Sequence, residues 1–532
     1  MFSSPARLAF AGLCLAALPL AACGDSGGVS SSAPTGPSAA AACAPSATVD
    51  LQPGQTMALT AAQAACFRLA PYAGARYALA GFDARAIDAA RGGPEPSVSD
   101  QPVYVVGDGS GAAPVATANA DRLADAAPDL RIRADAAPDA LSPFSRATPW
   151  KEGERFPIRR VDTGEQVTAR VVRVMGRYAF ALVEADAEGH TGRFIDDTEK
   201  AMEFILGQGE AALDRVWGGG RPVTSAGSGQ MLVVYTAWNV DQGAGSAATY
   251  AAQDGSGIGT YLWLNLNVRP GVRDSYALMD VPSFRLKVLA HEFTHAWQMR
   301  YAYETQPAGA RTVAFGPAWA MEGTADLVAM DLVRRSLGVG LTSNWSWQSR
   351  FSAPNAGVTY ALQPADTRGR LSRGYYDAAS FLQDVQVRMA RRGMTSDDAL
   401  AQVARGAVEG WFGIDAAGVR RQGLAERVRA VLGSAWDPAD AVLLWTLTQA
   451  ADDQTDAPEL SNPVYDHAAD PDNANAWKPA TDEVQAGRSF AYEVTRGAGT
   501  SFFVRMKDGG EGGTVSLRAT IDGTRWMVAR LK

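Results

Sequence analysis

Residues 283–306 run from Pro282 to Pro307 without an internal glycine or proline. A stretch that opens on Pro-Ser and meets no breaker reads as a helix. Set into it is His291-Glu292-Phe293-Thr294-His295. On a helix, side chains four residues apart lie one turn apart on the same face, so the two imidazoles can reach one metal ion. Glu292 is offset beside them, placed as a base for water rather than as a ligand. The chain holds only four histidines in 532 residues. At that frequency the pattern arises by chance roughly 0.002 times. A helix carrying this constraint has to fold against a second element that completes the site.

A catalytic zinc site takes three protein ligands and leaves a fourth position for water. The third ligand is expected on the segment that follows, Gly316-Pro-Ala-Trp-Ala-Met-Glu-Gly-Thr-Ala-Asp-Leu, which reads as another helix. There Glu322 and Asp326 are again four apart: Glu322 can complete the ligand set, and Asp326 can hydrogen-bond a ligand imidazole, His291 in the first instance, fixing its tautomer. A solvated acidic helix face is the alternative for this pair, and the apolar neighbours Trp319 and Met321 argue against it.

These five positions resemble the gluzincin metallopeptidases, in which HExxH is followed by a helix bearing ExxxD. The resemblance implies His291, His295 and Glu322 as ligands of one catalytic Zn²⁺, Glu292 as general base and Asp326 as the carboxylate behind a ligand. The order of a small β module, a helix and the HExxH helix is similar to that of the hyicolysin-type peptidases. It also implies an oxyanion donor on a later helix. In Ser372-Arg-Gly-Tyr-Tyr-Asp-Ala-Ala-Ser, Tyr376 matches that position better than Tyr375. His467 is the other candidate donor, and His190 reads as a turn residue. Strand 259–266, upstream of the metal helix, is expected to pair with an extended peptide as the edge strand of this clan does. No Gly-Ala-Met-Glu-Asn-like segment lies on that strand, so an endopeptidase is favoured over an aminopeptidase.

Calcium has no supporting motif. Asp466, Asp470 and Asp472 suggest it, but Asn475 stands where an EF-hand loop needs glycine and Thr481 where it needs the bidentate glutamate.

The N-terminus carries one cation at Arg7, an apolar run over 8–20 and then Leu20-Ala21-Ala22-Cys23. This is the pattern of a lipoprotein signal, with Cys23 as the lipidated residue of the mature chain. Gly24 is not the aspartate associated with inner-membrane retention, so an exported bacterial lipoprotein of the outer membrane is expected. Cys43 and Cys66 then remain as a disulfide pair. A net charge of −8 offers no basic nucleic-acid surface.

The organisation expected is multidomain. A signal (1–22) and a disordered tether (23–42) precede a β-sandwich-like domain (43–146) and a small β module (147–187). A central α+β, gluzincin-like (thermolysin-like) metallopeptidase domain (188–452) and a linker with a small C-terminal β domain (453–532) complete it. The function implied is hydrolysis of peptide bonds in a polypeptide substrate, with membrane attachment through the lipid. The competing reading is a lipid-anchored binding or structural protein with a non-catalytic metal site. Oligomeric state has no sequence signal.

Overall fold

The computed structural model describes residues 43–92, 103–108, 146–160, 163–189, 208–218, 220–237, 245–251, 258–266, 282–305, 318–337, 378–413, 415–416, 419–451, 483–486, 491–495, 501–508 and 512–532, with a few isolated positions besides. The chain is multidomain and α+β. Its N-terminal half is rich in sheet, its middle is helical and its C-terminal end returns to strands.

The two ends of the chain build one sandwich together. Its first sheet has the order β1 (Ala47–Val49), β3 (Phe67–Leu69), β17 (Gly513–Ala519), β5 (Val103–Gly107), β15 (Ala491–Thr495). The second runs β14 (Glu483–Ala486), β16 (Ser501–Asp508), β4 (Arg76–Asp83), β18 (Thr524–Arg530), β2 (Thr56–Leu59). Strand β4 is flanked on both sides by C-terminal strands, with Phe82 opposite Ser501 in β16 and Gly81 opposite Trp526 in β18. The expected boundaries, a sandwich over 43–146 and a separate β domain over 453–532, are corrected by this pairing. Neither end alone supplies enough strands to close two faces. A disulfide joins Cys43 to Cys66, as the sequence suggested. On the chain-entropy argument a loop of this size stabilises by about 3 kcal/mol.

Alternation along β4 shows why its sequence is apolar from Tyr77 to Phe82. Tyr77 and Leu79 point into the sandwich core with Tyr104, Phe502, Val504 and Trp526. Ala78, Ala80 and Phe82 point the other way, into the large core shared with the helices. A strand buried on both faces loses the polar half of its pattern. Gly81 faces the aromatic side, where a Cβ would lie 2.5 Å from the Phe502 ring and 2.7 Å from that of Trp526. The missing side chain leaves room for Phe502 and Trp526 to meet edge-on, their ring centroids 5.8 Å apart.

A third sheet has the order β10 (Gly245–Ala251), β11 (Ile258–Asn265), β9 (Met231–Thr236), β8 (Tyr178–Val183), β7 (Gln166–Met175), β6 (Arg155–Arg159). The expected module 147–187 is therefore half of this sheet, joined by the parallel pairing of β8 with β9. Strand β11 lies between β9 and β10, so the expectation that 259–266 offers a free edge is corrected: on that side of the sheet the outermost described strand is β10. On one face Ala179, Ala181, Leu232, Val234 and Trp263 form a local core. On the other, Tyr178, Phe180, Val233 and Leu262 pack under the helices.

The helices are α1 (Ala61–Ala65), α2 (Arg85–Ala89), α3 (Glu210–Trp217), α4 (Pro282–Glu304), α5 (Ala318–Leu337), α6 (Ala378–Arg391), α7 (Ser396–Val408), α8 (Leu424–Leu432) and α9 (Pro438–Ala451). Helix α4 lies against β10 and β11, α5 packs on α4 and α6 on α5, while α9 covers the outer face of β4, β16 and β18. No helix among the described residues is long and apolar enough to cross a membrane.

Deleting residues 501–532 removes β16, β17 and β18 and should expose the N-terminal strands. Limited proteolysis is expected to cut within 43–107 in the truncated chain and to spare that region in the intact one. Continued protection after truncation would contradict the shared sheets.

Candidate metal centre

Helix α4 is buried around its whole circumference from Val288 to Met299, and α5 from Trp319 to Val333. Polar side chains in such a setting have to satisfy one another, because water is not there to do it. His291, Glu292 and His295 are 6%, 6% and 3% exposed, and on α5 Glu322 and Asp326 are 2% and 1% exposed.

The ligand atoms converge. His295 Nε2 lies 2.9 Å from His291 Nε2, while Glu322 Oε2 lies 3.2 Å from His291 Nε2 and 3.4 Å from His295 Nε2. Ligands at about 2.0–2.2 Å around a tetrahedral ion stand roughly 3.3–3.5 Å apart. The spacing of the three atoms is thus close to that of one ion's shell. His291, His295 and Glu322 form a buried group that can hold a metal ion, the one such group among the described residues.

The opposite nitrogen of each ring is held. His291 Nδ1 lies 2.6 Å from Asp326 Oδ1, and His295 Nδ1 lies 2.7 Å from Gln298 Oε1. Each contact places a ring proton on Nδ1 and turns Nε2 toward Glu322, the nitrogen that faces an ion once its own proton is gone. With both rings neutral, as metal ligands are, the Glu292, Glu322 and Asp326 carboxylates sum to −3, which a divalent cation matches to within one charge. In a low-dielectric interior that match matters more than it would in water. The donor set of two imidazoles and a carboxylate fits a divalent transition-metal ion, zinc and iron among them.

Burial disfavours a charged imidazole, but Asp326 above all, then Glu322 and Glu292, more than offset it and raise His291 to about 9. Burial likewise works against the Glu322 carboxylate, yet His295 and His291 outweigh it and hold that group at about 2. The protonated ring and the carboxylate are thus a pair into which a metal ion must intrude.

The packing beneath the site is close. Gly323 follows Glu322, and a Cβ there would stand 2.9 Å from the Ala378 Cβ and 3.2 Å from the Ala379 backbone nitrogen. Its absence lets the start of α6 press against α5 beside the ligand. Trp297 Nε1 donates to Asp214 Oδ1 at 2.9 Å, fastening α4 to α3.

The structure brings His291, Glu292, His295, Glu322 and Asp326 together, the five positions of the sequence motif. Tyr375, Tyr376, His467, His190, Cys23 and the aspartates at 466, 470 and 472 lie outside the described residues. Two residues at the site went unread in the sequence, Gln298 and Thr324. The available signal was position: Gln298 stands one turn beyond His295 and two beyond His291, a polar residue on the ligand face of a helix with no solvent side. No protein-family model matches the chain, and no curated protein matches it.

An ion entering the site must displace the His291 proton at any pH below about 9. Apparent zinc affinity should therefore rise with pH, up to tenfold per unit for one displaced proton, and level off above about 9. Calorimetry of zinc binding in buffers of different ionisation heat should show about one proton released per ion near neutrality. An affinity flat between pH 6 and 8 would count against this coupling.

Proposed function

We propose that the chain is a zinc-dependent metallopeptidase of the gluzincin type, acting as an endopeptidase on polypeptides and held at a bacterial outer membrane by a lipid on Cys23. The observation that carries the reading is the buried Glu292 set next to a His₂Glu ligand group. A structural zinc site is closed by a fourth protein ligand and has no use for a base beside its histidines. Here three ligand residues converge among the described residues, and Glu292 is near enough to His291 to raise its basicity.

His291, His295 and Glu322 would hold the ion, with Asp326 and Gln298 orienting the two rings. When bound, zinc lowers the pKa of water toward neutrality and polarises a carbonyl oxygen. Glu292 accepts the proton of the attacking water and returns it to the leaving amine nitrogen. Tyr376 is proposed to donate a hydrogen bond to the developing oxyanion. Strand β10 is one of the two outer described strands of its sheet and lies against α4, so it is the described edge nearest the ligand helix on which an extended polypeptide could pair. Main-chain pairing of that kind recognises peptide rather than side chain, which favours a broad endopeptidase.

The test compares the protein with Glu292→Gln for zinc content and casein cleavage. The variant should keep one zinc per chain and lose about 10²- to 10⁴-fold in turnover. A zinc-loaded parent without chelator-sensitive proteolysis would overturn the peptidase reading in favour of a binding or structural role.

For the anchor, metabolic labelling with palmitate should mark the full chain and fail on Cys23→Ser. Equal labelling of both would remove the lipid attachment from the proposal.

A further inference from the structure

We propose that Gln298 is a positioning residue that decides which nitrogen of His295 faces the ion and, with the same amide, ties the histidine helix to the helix carrying Glu322. This rests on the reading of His291, His295 and Glu322 as metal ligands.

The orientation of the Gln298 amide is set by its partners. One end lies 2.9 Å from the Met321 carbonyl oxygen, which can only accept, so that end is the NH₂ group. The same nitrogen reaches Thr324 Oγ1 at 2.6 Å. Thr324 spends its own hydroxyl proton on the Ala320 carbonyl at 2.6 Å, so it receives one from Gln298. The other end of the amide is therefore the carbonyl oxygen, 2.7 Å from His295 Nδ1. A carbonyl opposite an imidazole nitrogen requires that nitrogen to carry the hydrogen. His295 Nε2 is left with its lone pair toward Glu322 and His291. Gln298 and Thr324 are both fully buried, so no solvent competes for these bonds.

The two rings are held by different chemistry. His291 has a carboxylate behind it and His295 a neutral amide. A glutamate at 298 would still accept from His295, but it would set a carboxylate against the Met321 carbonyl and add a fourth buried carboxylate to Glu292, Glu322 and Asp326. Glutamine supplies an acceptor for the ring and a donor for α5 at once, which no acidic side chain can do. Met321 and Thr324 flank Glu322 in sequence, so the bond network that orients one ligand also fixes the backbone of another.

Two substitutions separate the roles. Gln298→Met keeps the volume and removes the amide. Thr324→Val removes one link between the helices and leaves the carbonyl on His295. Zinc affinity is read by competition with a chromogenic chelator, with circular dichroism and thermal melting of each metal-free protein as the check on folding. Gln298→Met should bind zinc about 10- to 100-fold more weakly, and Thr324→Val within about threefold of the parent. Unchanged affinity in Gln298→Met would overturn the proposal, and so would an equal loss in both variants, which would make Gln298 a helix clamp alone. An independent reading needs no variant. In the zinc-loaded parent labelled with ¹⁵N-histidine, the His295 ring should be protonated at Nδ1 and coordinated through Nε2, and coordination through Nδ1 would overturn the assignment. If the parent itself fails to bind zinc, it is the metal reading of the site that falls.

Discussion

Everything at the centre of this molecule depends on keeping ionisable groups in a place where water cannot solvate them. Removing a carboxylate from water carries a penalty of several kcal/mol unless partners take over its hydration. The site meets this condition through short bonds: Asp326 to His291, Gln298 to His295, and Glu322 across to both rings. Each of those bonds also aims a lone pair. The arrangement that makes burial tolerable is thus the one that gathers three ligand atoms at a single point. A change to any of these partners should therefore affect stability and metal affinity together.

The scaffold meets a matching demand. Helices α4 and α5 have no solvent face over the ligand region, so they need packing on every side. Sheet strands β10 and β11 supply one side, α6 supplies another through the gap at Gly323, and α3 fastens to Trp297. The sandwich built by the two chain ends reaches the same core, because β4, β16 and β18 turn their second face onto α9. Residues far from the metal in sequence, such as Phe82 and Met527, share a continuous core with Phe293 and Trp297. Damage to the sandwich can consequently reach the helical layer without touching a ligand.

The ligand group was legible in the sequence because its information is local. Spacing of four along a helix states that two side chains share a face, and both His291/His295 and Glu322/Asp326 obey it. The disulfide was legible because elimination left only Cys43 and Cys66. What stayed hidden is carried by long-range pairing. Nothing in residues 76–83 announces that their neighbours are 501–507 and 524–530, since backbone hydrogen bonds bear no side-chain signature. For the same reason strand 259–266 reads as an edge in the sequence: its composition is that of a buried strand, and only register shows that β10 covers it. Gln298 was hidden for a third reason. A glutamine in a helix is ordinary until the burial of its face is known.

That last case shows how burial converts an uninformative residue into a determinate one. On a solvent-facing helix the Gln298 amide could turn either way, and water would satisfy whichever end it met. Enclosed between α4 and α5, it meets a backbone carbonyl at one end and an imidazole nitrogen at the other. Only one orientation leaves both satisfied, and that orientation dictates the His295 tautomer. Asp326 imposes the same choice on His291 through its charge. The two histidines therefore reach an equivalent ligand geometry by separate routes, one electrostatic and one by hydrogen-bond complementarity. The second route fixes a ring without adding a further carboxylate to the three already buried there.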